Sequence, residues 1–161
     1  MRLGFQTSAL LLSAVSLTAF GQGLTTQRTL SQEAVLKVAQ GTVEKCSSQG
    51  YKISLSILDA SGVVKLQLRG DGTGPHTLEH SRRKAYTALT FKRSSAEYAE
   101  AQAKRTGPAP AIEGVVAAAG GIPIRIGDEV VGSIGVSGAP GGEKDEACAA
   151  SGLSKIADWL K

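Results

Sequence analysis

Residues 121–137, GIPIRIGDEVVGSIGVS, constrain the fold of this chain more than any other stretch. Ile122, Ile124 and Ile126 alternate with Pro123 and Arg125, the period-two pattern of a half-buried strand. Gly127 and Asp128 then supply turn chemistry, since glycine accepts positive φ and aspartate tolerates it. Val130, Val131, Ile134 and Val136 carry the return strand. Gly132 and Gly135 interrupt it, which predicts a bulge or a close approach of another backbone. A second hairpin lies upstream. Ile53, Leu55 and Ile57 share one face of its first strand, with Ser54 and Ser56 opposite, and Asp59-Ala60-Ser61-Gly62 makes the turn. Val64, Leu66 and Leu68 alternate with Lys65, Gln67 and Arg69, which predicts one buried and one wet face.

Helical patterns surround the hairpins. Ser31 is a good N-cap, with Leu30 and Val35 placed as a hydrophobic staple. Ala34, Val35, Val38, Ala39, Thr42, Val43 and Cys46 follow as one stripe, so a helix ends near Gly50. A second helix is expected over residues 77–91, packed through Leu78, Ala85, Ala88 and Leu89. A more polar one runs from Ser94 or Ser95 to about Lys104, and a last one from Glu143 to Leu160. A short strand near Val115–Ala118 completes the order: helix, two strands, two helices, three strands, helix. No βαβ alternation runs through it. The expectation is a single mixed α/β (α+β) domain with an antiparallel sheet of about five strands flanked by helices.

At 161 residues one domain is expected. Residues 1–21 read as a cleaved secretory signal: a basic start at Arg2, an apolar run from Ala9 to Phe20, and small residues at Ala19 and Gly21. Residues 22–29 are polar and loose, and 30–161 form the domain. A periplasmic or secreted location follows. The leader's apolar run is shorter than the ~20 residues of a bilayer span, and no later segment reaches that length, so no stable membrane insertion is expected. Losing residues 1–21 removes Arg2 and lowers the net charge from +4 to +3. Acids interrupt the basic clusters, and only 4% of residues are aromatic, which leaves few stacking platforms for single-stranded nucleic acid. Nucleic acid is not an expected partner.

Cys46 and Cys148 suit no zinc motif. They are either a disulfide, which export permits, or two buried thiols. The loop Ser137–Gly142 opens a helix, but Glu143, Asp145 and Glu146 already meet the positive helix end, and no phosphate-binding motif is present. A tight packed connection is expected there, its remaining use being contact with a flat ligand or a neighbouring subunit. His76 and His80 stand four residues apart, on one face of a helix if both are helical, so both could reach one metal ion. Pro75 at the helix entrance threatens that geometry, and the bland alternative is two exposed histidines. Glu79 and Arg82 are spaced for an ion pair. No catalytic triad or nucleophile elbow can be assembled.

Several stretches resemble the GlcG/HbpS family of haem-binding proteins, and also the C-terminal domain of PduO-type proteins. They are Ile53–Gly62, Leu68–Pro75 followed by Arg83–Ala88, Ile134–Gly138, and Asp145-Glu146, and the resemblance spans roughly residues 30–160. It implies a profilin-like layout, haem as cofactor and a homo-oligomer. The helix segment it matches holds Arg83, Lys84, Tyr86 and Thr87, with Arg83 or Lys84 placed to meet a haem propionate and Tyr86 to stack or ligate; the family supplies no shared axial ligand, and His76 or His80 is the candidate for iron from its own spacing. Taken as bare residues, Lys84 is an ordinary surface charge and Tyr86 a core residue. The function implied is an exported haem-binding protein for storage, scavenging or redox sensing. A haem-degrading or small-organic-acid-converting enzyme, and an accessory partner of a membrane sensor's ectodomain, are the alternatives.

Overall fold

The computed structural model describes residues 23–108 and 111–161. The expected signal peptide at 1–21 lies outside the described residues. Helix α1 (Gln32–Ser47) begins where Ser31 accepts a hydrogen bond from the Ala34 amide. It buries the expected stripe against the sheet and α4. Strands β1 (Ser54–Asp59) and β2 (Val64–Arg69) form the first hairpin. Asp59 Oδ1 accepts from the Ser61 and Val63 amides at 2.9 Å each and so closes the turn. Helix α2 spans Thr77–Phe91, as read from the sequence, and α3 spans Ser95–Ala103 behind a Ser94–Glu97 capping box. Strands β3 (Gly121–Ile126) and β4 (Glu129–Ser137) form the second hairpin. Helix α4 (Gly142–Ser154) and a short 3₁₀ turn (Ala157–Leu160) close the chain.

The sheet is fully antiparallel, in the order β2-β1-β4-β3, with four strands rather than about five. Residues 115–118 are not a strand. Their backbone is held by α2 side chains: Arg83 donates to the Val115 carbonyl at 2.7 Å, and the Thr87 hydroxyl accepts from the Val116 amide at 2.9 Å. The expected last helix is likewise broken in two, at Lys155-Ile156, where Ile156 turns into the core.

The two faces of the sheet differ. One face presents Leu55, Ile57, Ile124, Ile134 and Val136 to α1 and α4, forming the apolar core. The other presents Ser54, Ser56, Ser133, Gly135 and Ser137 to α2, and all are buried. The serine face of β1 is therefore not wet, as the alternation implied. It is dry because α2 brings matching hydroxyls: Ser54 pairs with Thr77 and Ser56 with Ser81, each at 2.8 Å. Conversely, β2 is an edge strand whose expected buried face stays open. Val64 is 40% and Leu68 38% exposed, and only Leu66 packs against the core.

The glycines of β4 act as expected. Between β3 and β4 the register slips past Ile124, leaving Val131 without an opposite residue. At Gly135 the α2 backbone comes so close that a Cβ would lie 2.1 Å from the Ser81 carbonyl oxygen. Cys46 and Cys148 form a disulfide, with Cα atoms 5.5 Å apart, that ties α1 to α4 inside the core.

Candidate functional site

The closeness of α2 to β4 decides what the N-terminal half of α2 can do. Helical spacing sends Thr77, Ser81, Lys84, Ala85 and Ala88 to the sheet, and all five are buried. Lys84 is the outlier among them: an ammonium on a packed face needs partners. It finds two. Lys84 Nζ donates to the Val136 carbonyl at 3.0 Å and to Asp145 Oδ2 at 2.8 Å. Asp145 comes from the first turn of α4, and its other oxygen accepts from the Ala139 amide at 2.9 Å. Both side chains are 4% exposed. Burial pushes the Asp145 carboxyl above its ordinary range, against the pull of Lys84 and the Ala139 amide.

This ion pair lines a cavity of about 520 Å³. The cavity runs between the start of α2, the loop before it, the end of β4 and the start of α4. Its size falls within the ~300–1,000 Å³ typical of small-molecule sites. Glycines 72, 74, 138 and 142 line it, so much of its wall is bare backbone. His76 and His80 line it as well. His76 is the N-cap of α2 and lies outside the helix, yet its dihedrals (φ −75°, ψ −21°) are already helical. The two imidazoles therefore stay on one face, with ring centroids 6.3 Å apart. His76 is exposed and His80 half-buried. Burial, then the charges of Lys84, His76 and Arg83, lowers the His80 pKa, so its imidazole stays neutral and free to ligate at neutral pH.

Of the six residues singled out in the sequence, His76, His80 and Lys84 meet in this cavity. The other three point elsewhere. Arg83 and Thr87 hold residues 115–116, and the Tyr86 ring packs beside Gly62 and Gly114. Glu79 and Arg82 form the expected pair at 2.7–2.8 Å on the outer face. The sequence places Asp145 at a helix start and in a family-like stretch, and Ser137 in a loop left for contact with a flat ligand; it does not single out Lys52 or Thr77, which also line the cavity. A lysine set in the apolar stripe of α2 was the available signal for a buried acid elsewhere. Among the described residues no cluster of three or more His, Cys, Asp or Glu is placed to hold a bare metal ion. No helix among them is long and apolar enough to cross a membrane.

Residues 30–154 match the sequence family described as "Haem degrading protein HbpS-like". The chain belongs to that family. A crystal structure of HbpS is 36% identical to this HbpS-like chain, covering 86% of it and 97% of HbpS, with a TM-score of 0.77. A double mutant of HbpS from Streptomyces reticuli gives 35% identity, 88% and 97% coverage and a TM-score of 0.76. The PduOC–haem complex, at 23% identity, shares the fold: it covers 80% of this chain and 95% of its own, with a TM-score of 0.70. No curated protein matches the chain.

Proposed function

We propose that this HbpS-like chain binds haem in the cavity between α2, β4 and α4. The observation that carries the reading is the pairing of a neutral, half-buried imidazole, His80, with a wall of glycine backbone, in a space of about 520 Å³. The donor set fits. A neutral imidazole is the commonest protein ligand of haem iron, and His76, one turn away at the mouth, is a second candidate. The wall suits a flat ring because Gly72, Gly74, Gly138 and Gly142 present backbone without side chains to the cavity. When bound, haem supplies iron redox chemistry. The chain positions it and keeps one face of the site against buried protein. The haem complex of a protein with the same fold supports this reading.

The reading extends to an exported protein serving haem storage, scavenging or redox sensing. The Cys46–Cys148 disulfide supports an oxidising compartment. Exposed Val64 and Leu68 on the outer strand, with Val63 just ahead of it, support self-association, which light scattering on the purified protein would measure.

Adding haemin to residues 22–161 should raise a Soret band that saturates at one haem per chain. His80→Ala should shift or abolish it, and His76→Ala should weaken it. No spectral change at micromolar haemin overturns the proposal. The matched family's description favours a second reading, haem degradation. That reading requires loss of the band with a reductant and oxygen, together with release of iron.

A further inference from the structure

The floor and the mouth of the cavity differ in chemistry. Thr77, Lys84, Ser137 and Asp145 make the floor and are 2–3% exposed, whereas His76 and Lys52 stand open at the mouth. His76, His80 and Lys84 follow one another at four-residue steps, about 6 Å apart along α2, and pass from exposed through half-buried to buried. Lys84 has three ammonium protons, and the structure accounts for two of them. Asp145 is the one acid in the lining, and both of its oxygens already accept hydrogen bonds. Lys52 adds a second cation that no lining acid balances. An apolar group pressed onto this floor would strand a charged donor, whereas an acid group would satisfy it.

We propose that the Lys84 end of the cavity is a carboxylate subsite: a ligand enters acid group first, and the part lying one helical turn outward meets His80. For haem, on the reading above, this places the propionate edge inward. The same subsite takes a free small carboxylate, which then competes with haem.

The test uses wild-type protein and the double variant Lys84→Met/Asp145→Asn, which removes both charges of the pair yet keeps an acceptor for the Ala139 amide. Haemin and haemin dimethyl ester, whose acid groups are masked, are titrated separately, and benzoate is added as competitor. Wild type should bind haemin at least about tenfold tighter than the ester, the loss expected for one charge-assisted hydrogen bond. Benzoate should displace haemin, and the double variant should bind haemin and ester alike. Equal binding of haemin and ester by wild type overturns the subsite and leaves the haem reading standing. If neither porphyrin binds, the haem reading fails and benzoate alone decides. Chemical-shift changes at Thr77 and Ser137 that vanish in the double variant uphold the subsite; none in wild type overturns it.

Discussion

Gly135 lies where α2 and the sheet touch backbone to backbone, and its missing side chain sets the distance between them. A Cβ there would meet the Ser81 carbonyl oxygen at 2.1 Å and the Ala85 amide at 2.6 Å, neither of which can swing aside. Gly135→Ala should therefore cost about 1–3 kcal/mol, measurable by urea denaturation, and should weaken haem binding by lifting α2 and its histidines off β4. An unchanged midpoint would contradict the packing described. His80 makes a different kind of residue-scale prediction. Its folded-state pKa lies below the ordinary value of 6.5, chiefly through burial. As pH falls below 6.5 the unfolded chain takes up this proton before the folded one, so folding loses stability through that window and not above it. His80→Gln should flatten the fall in melting temperature on the acid side of pH 6.5 while leaving the neutral side parallel to wild type. Equal acid slopes for the two proteins would refute it.

Among the elements, α2 was the most legible. Its span, with Pro75 just ahead, matches the observed helix, although Leu78 and Leu89 stay half-buried while Thr77, Ser81 and Lys84 join Ala85 and Ala88 on the sheet side. Both hairpins were legible for the same reason: their patterns and turns are local. What escaped depended on distant partners. The run Val115–Ala118 looks like a strand, and only the approach of Arg83 and Thr87 takes up its backbone groups. Ser54 and Ser56 look like a wet face, and only the hydroxyls of α2, more than twenty residues on, dry it. The Lys84–Asp145 pair spans 61 residues: the sequence signals that Lys84 needs a buried acid, but not which acid supplies it. That pair yields an element-scale prediction. Lys84→Met alone leaves the buried Asp145 carboxyl without its cation, and should cost about 3–5 kcal/mol. Adding Asp145→Asn should recover most of the loss, because an apolar and an amide side chain tolerate the site better than a carboxyl without its cation. Additive losses in a double-mutant cycle would mean the two groups do not act on each other.

For the molecule as a whole, the disulfide connects stability to the cavity. Cys46 and Cys148 are both closed to solvent and lie 102 residues apart in sequence. Opening a loop of that size restores much of the unfolded chain's freedom, and Cys46→Ala/Cys148→Ala should lose about 2–5 kcal/mol, roughly 10 °C or more in Tm. Because the sulfurs are buried, a reductant reaches them only when α1 and α4 part. Reduction of the folded protein should therefore be slow without denaturant, with a rate that follows the opening of the core. The consequence reaches the site through α4, which carries Asp145 and Cys148 one turn apart. With the bridge open, α4 keeps its packing on α1 but loses its covalent anchor, and its N-terminal turn forms one wall of the cavity. Haem affinity in the double-alanine variant, measured well below its own Tm, should fall more than in an equally destabilised variant such as Leu30→Ala, whose side chain packs far from the cavity lining. Equal affinities for the two variants would show that the bridge stabilises the fold without holding the site.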